Sequence, residues 1–156
     1  IPGRMENINF QGKPLVVIDY AHTPEALRGT LQALGKLLES TDKLICVFGC
    51  GGGRDKGKRA EMGAVASSLA DYCFVTSDNP RNESPTAIIK DILKGMDSNY
   101  TVEKNRKSAI VKSLEFAKEN DIALIAGKGH ENYQDFGNKK VPFSDHEIVQ
   151  AYLRKT

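Results

Sequence analysis

Three short segments carry side chains suited to holding a small molecule of both charges. The first is glycine-rich, Gly49-Cys50-Gly51-Gly52-Gly53-Arg54-Asp55-Lys56-Gly57-Lys58-Arg59; the second is Ser77-Asp78-Asn79-Pro80-Arg81; the third is Gly127-Lys128-Gly129-His130-Glu131. Arg54 and Arg81 can meet carboxylates through paired N–H groups, while Asp78 and Glu131 can accept from ammonium groups. Together they would hold a zwitterion, for which an amino acid is the natural candidate. Taken singly, each segment also has a plain structural reading: a glycine-rich turn with solvated charges, an Asp-Asn-Pro turn, and a Gly-Lys-Gly helix stop. His22 and His130 could contact phosphate, orient loops or only satisfy local hydrogen bonds. His146 reads as a surface residue at a helix start.

The glycine run does not read as a phosphate loop. Gly52-x4-Gly57-Lys58 matches most of the Walker pattern, but Arg59 stands where a hydroxyl must hold magnesium, and charges crowd the segment. The dinucleotide fingerprint fails as well, because with Gly49 and Gly51 as its first two glycines Arg54 takes the place of the third. A chain without its own triphosphate cradle needs that cradle from another domain. The glycines instead imply a backbone that turns sharply and approaches a ligand closely, with Arg54 placed to meet a carboxylate.

The elements that must present these loops follow from hydrophobic patterning. Apolar runs at Leu15–Asp19, Leu44–Phe48, Tyr72–Thr76 and Ile122–Ala126 predict buried strands. A helix from about Pro24 to Glu39 places Leu27, Leu31, Leu34 and Leu38 on one face, with Thr23 as its cap and Pro24 in its first turn. Ser84-Pro85 opens a helix carrying Ile88, Ile89, Ile92 and Leu93, and residues from about Arg106 to Glu119 predict another. Ser144 with Glu147 forms a capping box before the last helix. Thr101–Glu103 and Lys140–Phe143 are weaker strand signals, the latter at an edge because Pro142 cannot donate to a ladder. Strand, loop and helix in repetition predict an α/β, Rossmann-like three-layer domain: a mostly parallel sheet flanked by helices, with ligand loops beyond the strands' carboxyl ends. The three candidate segments all follow such strands.

Composition narrows the classes further. The 156 residues, 40% of them hydrophobic, suit one domain over 1–156, with no repeat or linker to divide it. The start at Ile1-Pro2-Gly3-Arg4 is neither a Met nor a signal sequence, so the chain reads as an excised segment. A net charge of +2 argues against nucleic acid, and no apolar run suggests a membrane span or anchor. Cys46, Cys50 and Cys73 lack the second pair that a zinc site needs, and no metal ligand set is expected. They read as reduced thiols, mostly in strands, which points to the cytoplasm.

The ordered set Pro2-Gly3-Arg4-Met5-Glu6, Asp19-Tyr20-Ala21-His22-Thr23-Pro24, the Arg54 loop, Asp78-Asn79-Pro80-Arg81 and Gly127-Lys128-Gly129-His130-Glu131 resembles a Mur ligase carboxy-terminal domain, over essentially the whole chain. The resemblance is strongest to members that add diaminopimelate. It implies a three-domain enzyme of peptidoglycan biosynthesis in which an amino-terminal domain holds the UDP end and a central domain holds ATP and Mg2+. Both would be absent here, so the isolated domain should be inactive and bind neither ATP nor Mg2+ tightly. The implied reaction activates the D-glutamate side-chain carboxylate of UDP-MurNAc-L-Ala-D-Glu as an acyl phosphate, which the amine of meso-diaminopimelate then attacks. Carried over by motif, Arg54, Asp78, Asn79, Pro80, Arg81, Gly127 and Glu131 would form the diaminopimelate site, with Asn79 and Arg81 on the carboxylate of its non-reacting end and Pro80 shaping the loop. Arg4, Asp19, His22 and Thr23 would come near ATP on closure. A lysine-adding relative, a folate polyglutamate ligase and a non-catalytic Rossmann-like module are the alternatives. Lysine has no second carboxylate, so a buried Arg81 left unpaired would reject it.

Overall fold

The structure, a computed structural model, describes residues 5–155. Its elements, in order, are β1 (Glu6–Ile8), β2 (Leu15–Asp19), α1 (Pro24–Gly35), β3 (Leu44–Phe48), α2 (Gly57–Leu69), β4 (Tyr72–Val75), α3 (Pro85–Leu93), β5 (Tyr100–Val102), α4 (Arg106–Phe116), β6 (Ile122–Ala126), β7 (Tyr133–Asp135), β8 (Lys140–Pro142) and α5 (Asp145–Lys155). Six strands form one sheet in the order β1-β2-β6-β3-β4-β5. All neighbours pair in parallel except β1, which runs antiparallel on β2. The α/β three-layer architecture expected from the sequence is the one observed.

Side-chain alternation sorts the strands between two cores. Val17, Cys46, Phe48, Cys73, Val75 and Leu124 point to the layer made by Leu27, Leu31 and Leu34 of α1, Met62 of α2 and Ile88 and Ile92 of α3. Their strand neighbours Val16, Ile18, Ile45, Val47, Phe74 and Ile125 face Ile110 and Leu114 of α4 and Val149 and Leu153 of α5. Burial on both faces is why these strands read as unbroken apolar runs. Each large aliphatic side chain buried this way contributes about 1.5–3 kcal/mol.

Helix starts follow the caps expected of them. Thr23 Oγ1 accepts from Ala26 N at 3.2 Å, Ser84 Oγ from Ala87 N at 3.3 Å, and Ser144 Oγ from Glu147 N at 3.1 Å. Five elements end earlier than the sequence pattern suggested: α1 stops at Gly35, α4 at Phe116, β4 at Val75, β5 at Val102 and β8 at Pro142. The segment at Lys140 does not join the main sheet; it pairs with β7 in a separate two-stranded hairpin. Helix α2 had no strong sequence signal, because its buried face is built of small residues with Met62 and Val65, and Lys56 provides no side-chain cap.

The strand order places a switch point at β6. Strands β2 to β5 are laid down in one direction, with α1, α2 and α3 on one face; α4 then returns on the other face to insert β6 between β2 and β3. Loops therefore diverge at the carboxyl ends of β2, β3, β4 and β6, opening a crevice there. Arg106, fully buried, braces this end from below. Its guanidinium makes two 2.8 Å hydrogen bonds to the Asp145 carboxylate and 3.0 Å bonds to the carbonyls of Ser77, just after β4, and Ala126, the last residue of β6. Arg106→Met should cost about 3–5 kcal/mol in urea unfolding, since it strands a buried carboxylate. The pair Arg106→Met with Asp145→Leu should recover much of that. A single-variant loss below about 1 kcal/mol would rule out this bracing.

Candidate functional site

A cleft of about 530 Å3 opens at these strand ends. It is lined by Arg54 from the glycine loop, Asp78, Asn79 and Arg81 after β4, and Gly127 and Glu131 after β6, with His22 and Thr23 after β2 at its edge. Six of the seven residues expected at an amino-acid site thus share one cleft. Pro80 is buried but does not line it. Asp19 does not line it either: its carboxylate accepts from Met5 N, Ala21 N and Thr30 Oγ1, tying the first strand to α1. Arg4 lies outside the described residues. A larger cavity, about 1040 Å3, lies between the β7–β8 hairpin and helices α4 and α5. It receives none of the loops that follow β2, β3 or β4, so the smaller cleft is the one equipped for chemistry.

The glycine loop lies against the Arg81 loop. Gly52 N donates to the carbonyl of Asn79 at 2.8 Å, and a Cβ at Gly52 would overlap the carbonyl oxygen of Pro80, so only glycine permits this approach. Gly53 N donates to Glu83 Oε1 at 2.8 Å and Gly57 N to Asp55 Oδ1 at 2.9 Å. The Gly53 N–H, with Arg59, holds the Glu83 carboxyl below its ordinary range despite the opposing effect of desolvation. The Gly52, Gly53 and Gly57 amides are thus already spent on internal acceptors and not free to cradle a phosphate, and the loop does not fit a triphosphate. Arg59, at the position where a phosphate loop needs a hydroxyl, is buried against Glu83, Asp91 and the Gly51 carbonyl.

Arg81 has a left-handed backbone, φ 56°, unusual for a residue with a side chain. Its N–H donates to the carbonyl of Asp135 in β7, which holds that conformation. The guanidinium donates through Nη1 to the Gly52 carbonyl at 2.7 Å and lies 3.8 Å from Asp135 Oδ2. A Cβ at Gly51 would lie 2.7 Å from Arg81 Nη1 and 3.7 Å from Arg54 Cγ, so both arginines flank one glycine. The expectation of a buried guanidinium left bare without ligand is corrected: Arg81 is 28% exposed and already has a carbonyl partner. Exposed Arg54 keeps its donors for solvent or ligand.

Another part of the cleft lining is acidic. Asp78 and Glu131 approach Lys128, whose side chain is wholly buried, and Asn79 Nδ2 donates to Glu131 Oε1 at 3.1 Å. Asn79 Oδ1 accepts from Lys128 Nζ at 2.7 Å and from Asp135 N at 3.0 Å. Gln134 Nε2 donates to the carbonyl of Asp78 at 2.8 Å. Gly127, at φ 112°, lets the Asp78 carboxylate pass where a Cβ would lie 2.7 Å from Oδ2. Lys128, Gln134, Asp135, Arg59 and Arg106 were missed as supports of the site. Only proximity in the fold shows that Gln134 and Asp135 belong to it, whereas the place of Lys128 inside the third motif was a usable signal.

This is an α/β domain whose candidate cleft sits at the carboxyl ends of parallel strands and presents both charges. Its sequence matches the family model described as Mur ligase, glutamate ligase domain, over residues 3–129. The UDP-N-acetylmuramoyl-L-alanyl-D-glutamate--2,6-diaminopimelate ligase of Neisseria meningitidis is 55% identical over 154 residues, which are 98% of this chain and 31% of that protein. The protein of the same name from Prochlorococcus marinus is 53% identical over 161 residues, with the same coverage. A solved structure bearing that name superposes with a TM-score of 0.91 at 41% identity, covering 99% of this chain and 32% of the other. The chain belongs to the Mur ligase family and spans about a third of the length of these relatives.

All three cysteines are free. Burial pushes the Cys46 thiol well above its ordinary value and Cys73 up to about 12. Cys50, which lines the cleft, is pushed to about 12 by burial and by the charge of Asp78, against the opposing pull of Arg59. It is therefore a protonated thiol and not a nucleophile at neutral pH. Unfolded thiols ionise near pH 8.5 while the folded ones do not, so their stabilising contribution is complete below about pH 8.5 and is lost as pH rises towards 12. The stability of the chain should fall between about pH 9 and 11, and Cys50→Ala should reduce the slope by up to about 1.4 kcal/mol per pH unit. An identical slope would show that Cys50 ionises as readily folded as unfolded.

Proposed function

We propose that this chain is the amino-acid-binding domain of an ATP-dependent ligase that adds meso-diaminopimelate to UDP-MurNAc-L-Ala-D-Glu in the cytoplasmic stage of peptidoglycan synthesis. The observation that carries the reading is the pairing, within one cleft, of two arginines flanking Gly51 with the acidic unit of Asp78 and Glu131. One end of diaminopimelate is a carboxylate beside an ammonium, and the presence of both charges in one cleft complements it. The names carried by relatives at 53 and 55% identity support the same substrate.

In this reading Arg81 and Arg54 hold the carboxylate of the non-reacting end, and Glu131 with Asp78 receives the neighbouring ammonium. Asn79 keeps one amide hydrogen for the same carboxylate while its other contacts hold the loop. Anchoring the far end leaves the second amine free to point out of the cleft. ATP with magnesium, held by the other domains of the longer protein, supplies the phosphoryl group that activates the D-glutamate side-chain carboxylate. The oriented amine then attacks that carbonyl carbon, an amide bond forms, phosphate leaves and the amine gives up its proton. What this chain contributes is position: a fixed amine raises its effective concentration at the reacting carbon. His22 and Thr23, at the cleft edge, are placed to meet the nucleotide when the domains close, whereas Asp19 acts through the backbone it holds.

Arg81→Ala tests the substrate assignment. Binding of meso-diaminopimelate and, separately, lysine is followed by backbone amide shifts in NMR titrations of the 156-residue chain. The variant should lose roughly tenfold in affinity for diaminopimelate and less than about threefold for lysine, because with the reacting amino-acid end pointing out of the cleft only diaminopimelate has a second carboxylate for the guanidinium to grip. Equal losses for both ligands would sink the role of Arg81, and a parent chain that prefers lysine would reassign the domain to a lysine-adding ligase.

A further inference from the structure

The acidic wall of the cleft is organised around a cation that does not itself line the cleft. Lys128 Nζ lies 2.7 Å from Asn79 Oδ1, 2.9 Å from the Tyr133 carbonyl, and 3.2 Å from both Asp78 Oδ1 and Glu131 Oε1. An ammonium has three protons, so its donors are fully engaged by these acceptors. Its side chain is 0% exposed, and the chain reverses at Gly127 and Gly129, both at positive φ, to bury it. Lys128 therefore touches every residue of the acidic wall without opening onto the cleft.

We infer that Lys128 is the positioning and specificity-determining residue of this wall, fixing Asp78, Asn79 and Glu131 as one rigid unit with a single surplus negative charge. The inference rests on the amino-acid reading of the cleft. Two carboxylates against one ammonium leave one negative charge, the complement of one ligand ammonium. Arg54 and Arg81, which line the same cleft, then meet the carboxylate bonded to the same ligand carbon. Without Lys128 the wall would carry two unneutralised carboxylates close together. They would repel each other, move apart, and attract cations more strongly than a zwitterion. Lys128 thus tunes the cleft for an amino-acid end of diaminopimelate against the lone side-chain ammonium of lysine, without touching either.

The test compares the unmutated chain with Lys128→Met, which keeps an unbranched side chain without the charge, and Lys128→Arg, which keeps the charge. Each is titrated with meso-diaminopimelate and with lysine by NMR, and its thermal midpoint is measured separately. The unmutated chain should prefer diaminopimelate. Lys128→Met should lose at least about tenfold in affinity for it and distinctly less for lysine, narrowing the preference, while Lys128→Arg should retain the preference. A folded Lys128→Met with the parental preference would overturn the inference and leave the amino-acid cleft standing. If Lys128→Met does not fold, the unmutated chain decides through its 15N-labelled lysine ammonium spectrum. A Lys128 signal that is protected from exchange and shifts with diaminopimelate supports the role; one that stays fixed while the amides of Arg54 and Arg81 move refutes it. An unmutated chain silent to both ligands would overturn the amino-acid cleft itself, and this inference with it.

Discussion

The backbone at the end of a parallel strand runs out of ladder partners, and a site built there must satisfy those groups without filling its own mouth. Here one buried guanidinium does so. Arg106 joins the carbonyls of Ser77 and Ala126, which directly precede Asp78 and Gly127, and its charge is balanced by Asp145 at the start of the last helix. Burial alone would lower the pKa of such a group, but the carboxylates of Asp145, Asp78 and Glu131 together more than reverse that, and the guanidinium stays charged. An ion pair of this kind adds little net stability compared with well-packed apolar groups. Its value lies in geometry, because it fixes the two loops that carry the acidic wall relative to α4 and α5.

A second layer of contacts fixes the site from the side. The β7–β8 hairpin is too short to be a stable sheet alone, yet it supplies the Asp135 carbonyl for Arg81 N, the Asp135 N–H for Asn79 and the Tyr133 carbonyl for Lys128. It is held in return by those same bonds. On the other flank, Arg59 and Glu83 pin the glycine loop that receives the Arg81 guanidinium. Asp78, Arg81 and Glu131 are thus oriented by neighbours in the unliganded fold, while Arg54 and Lys58 stay exposed. Preorganisation of this sort lowers the ordering cost of binding.

The parts of this design visible in the sequence are those whose physics is local. Leu27, Leu31 and Leu34 announce α1 by their spacing, and Thr23 and Ser84 announce caps, because a helix dictates what lies three or four residues away. The buried strands show as apolar runs for the same reason. Helix α2 did not stand out, since its fit against α1 and α3 relies on small residues such as Ala60, Gly63 and Ala66 that carry no periodic signal. The candidate cleft was legible as three loops, because motifs survive as strings. What joins the loops was not: Arg106 meets Asp145 across 39 positions, and Gln134 meets Asp78 across 56. Nothing local marks an arginine at a helix start as a brace for two strand ends.

The same distinction bears on why Arg81 behaves differently from the simple picture of a waiting cation. A guanidinium bare in a dry pocket would reject any ligand without a matching carboxylate, but would also destabilise the empty protein. The Gly52 carbonyl and Asp135 relieve that cost, and partial exposure lets water share it. On the proposed amino-acid reading, discrimination then comes from what a carboxylate adds, a charged partner for N–H groups otherwise facing water, and is correspondingly modest. A cleft that discriminates modestly by one arginine gains more by matching charge over its whole surface, with the two arginines set against an acidic wall of fixed charge. On that view the specificity of this domain belongs to the arrangement of its charged walls, and no single side chain holds all of it.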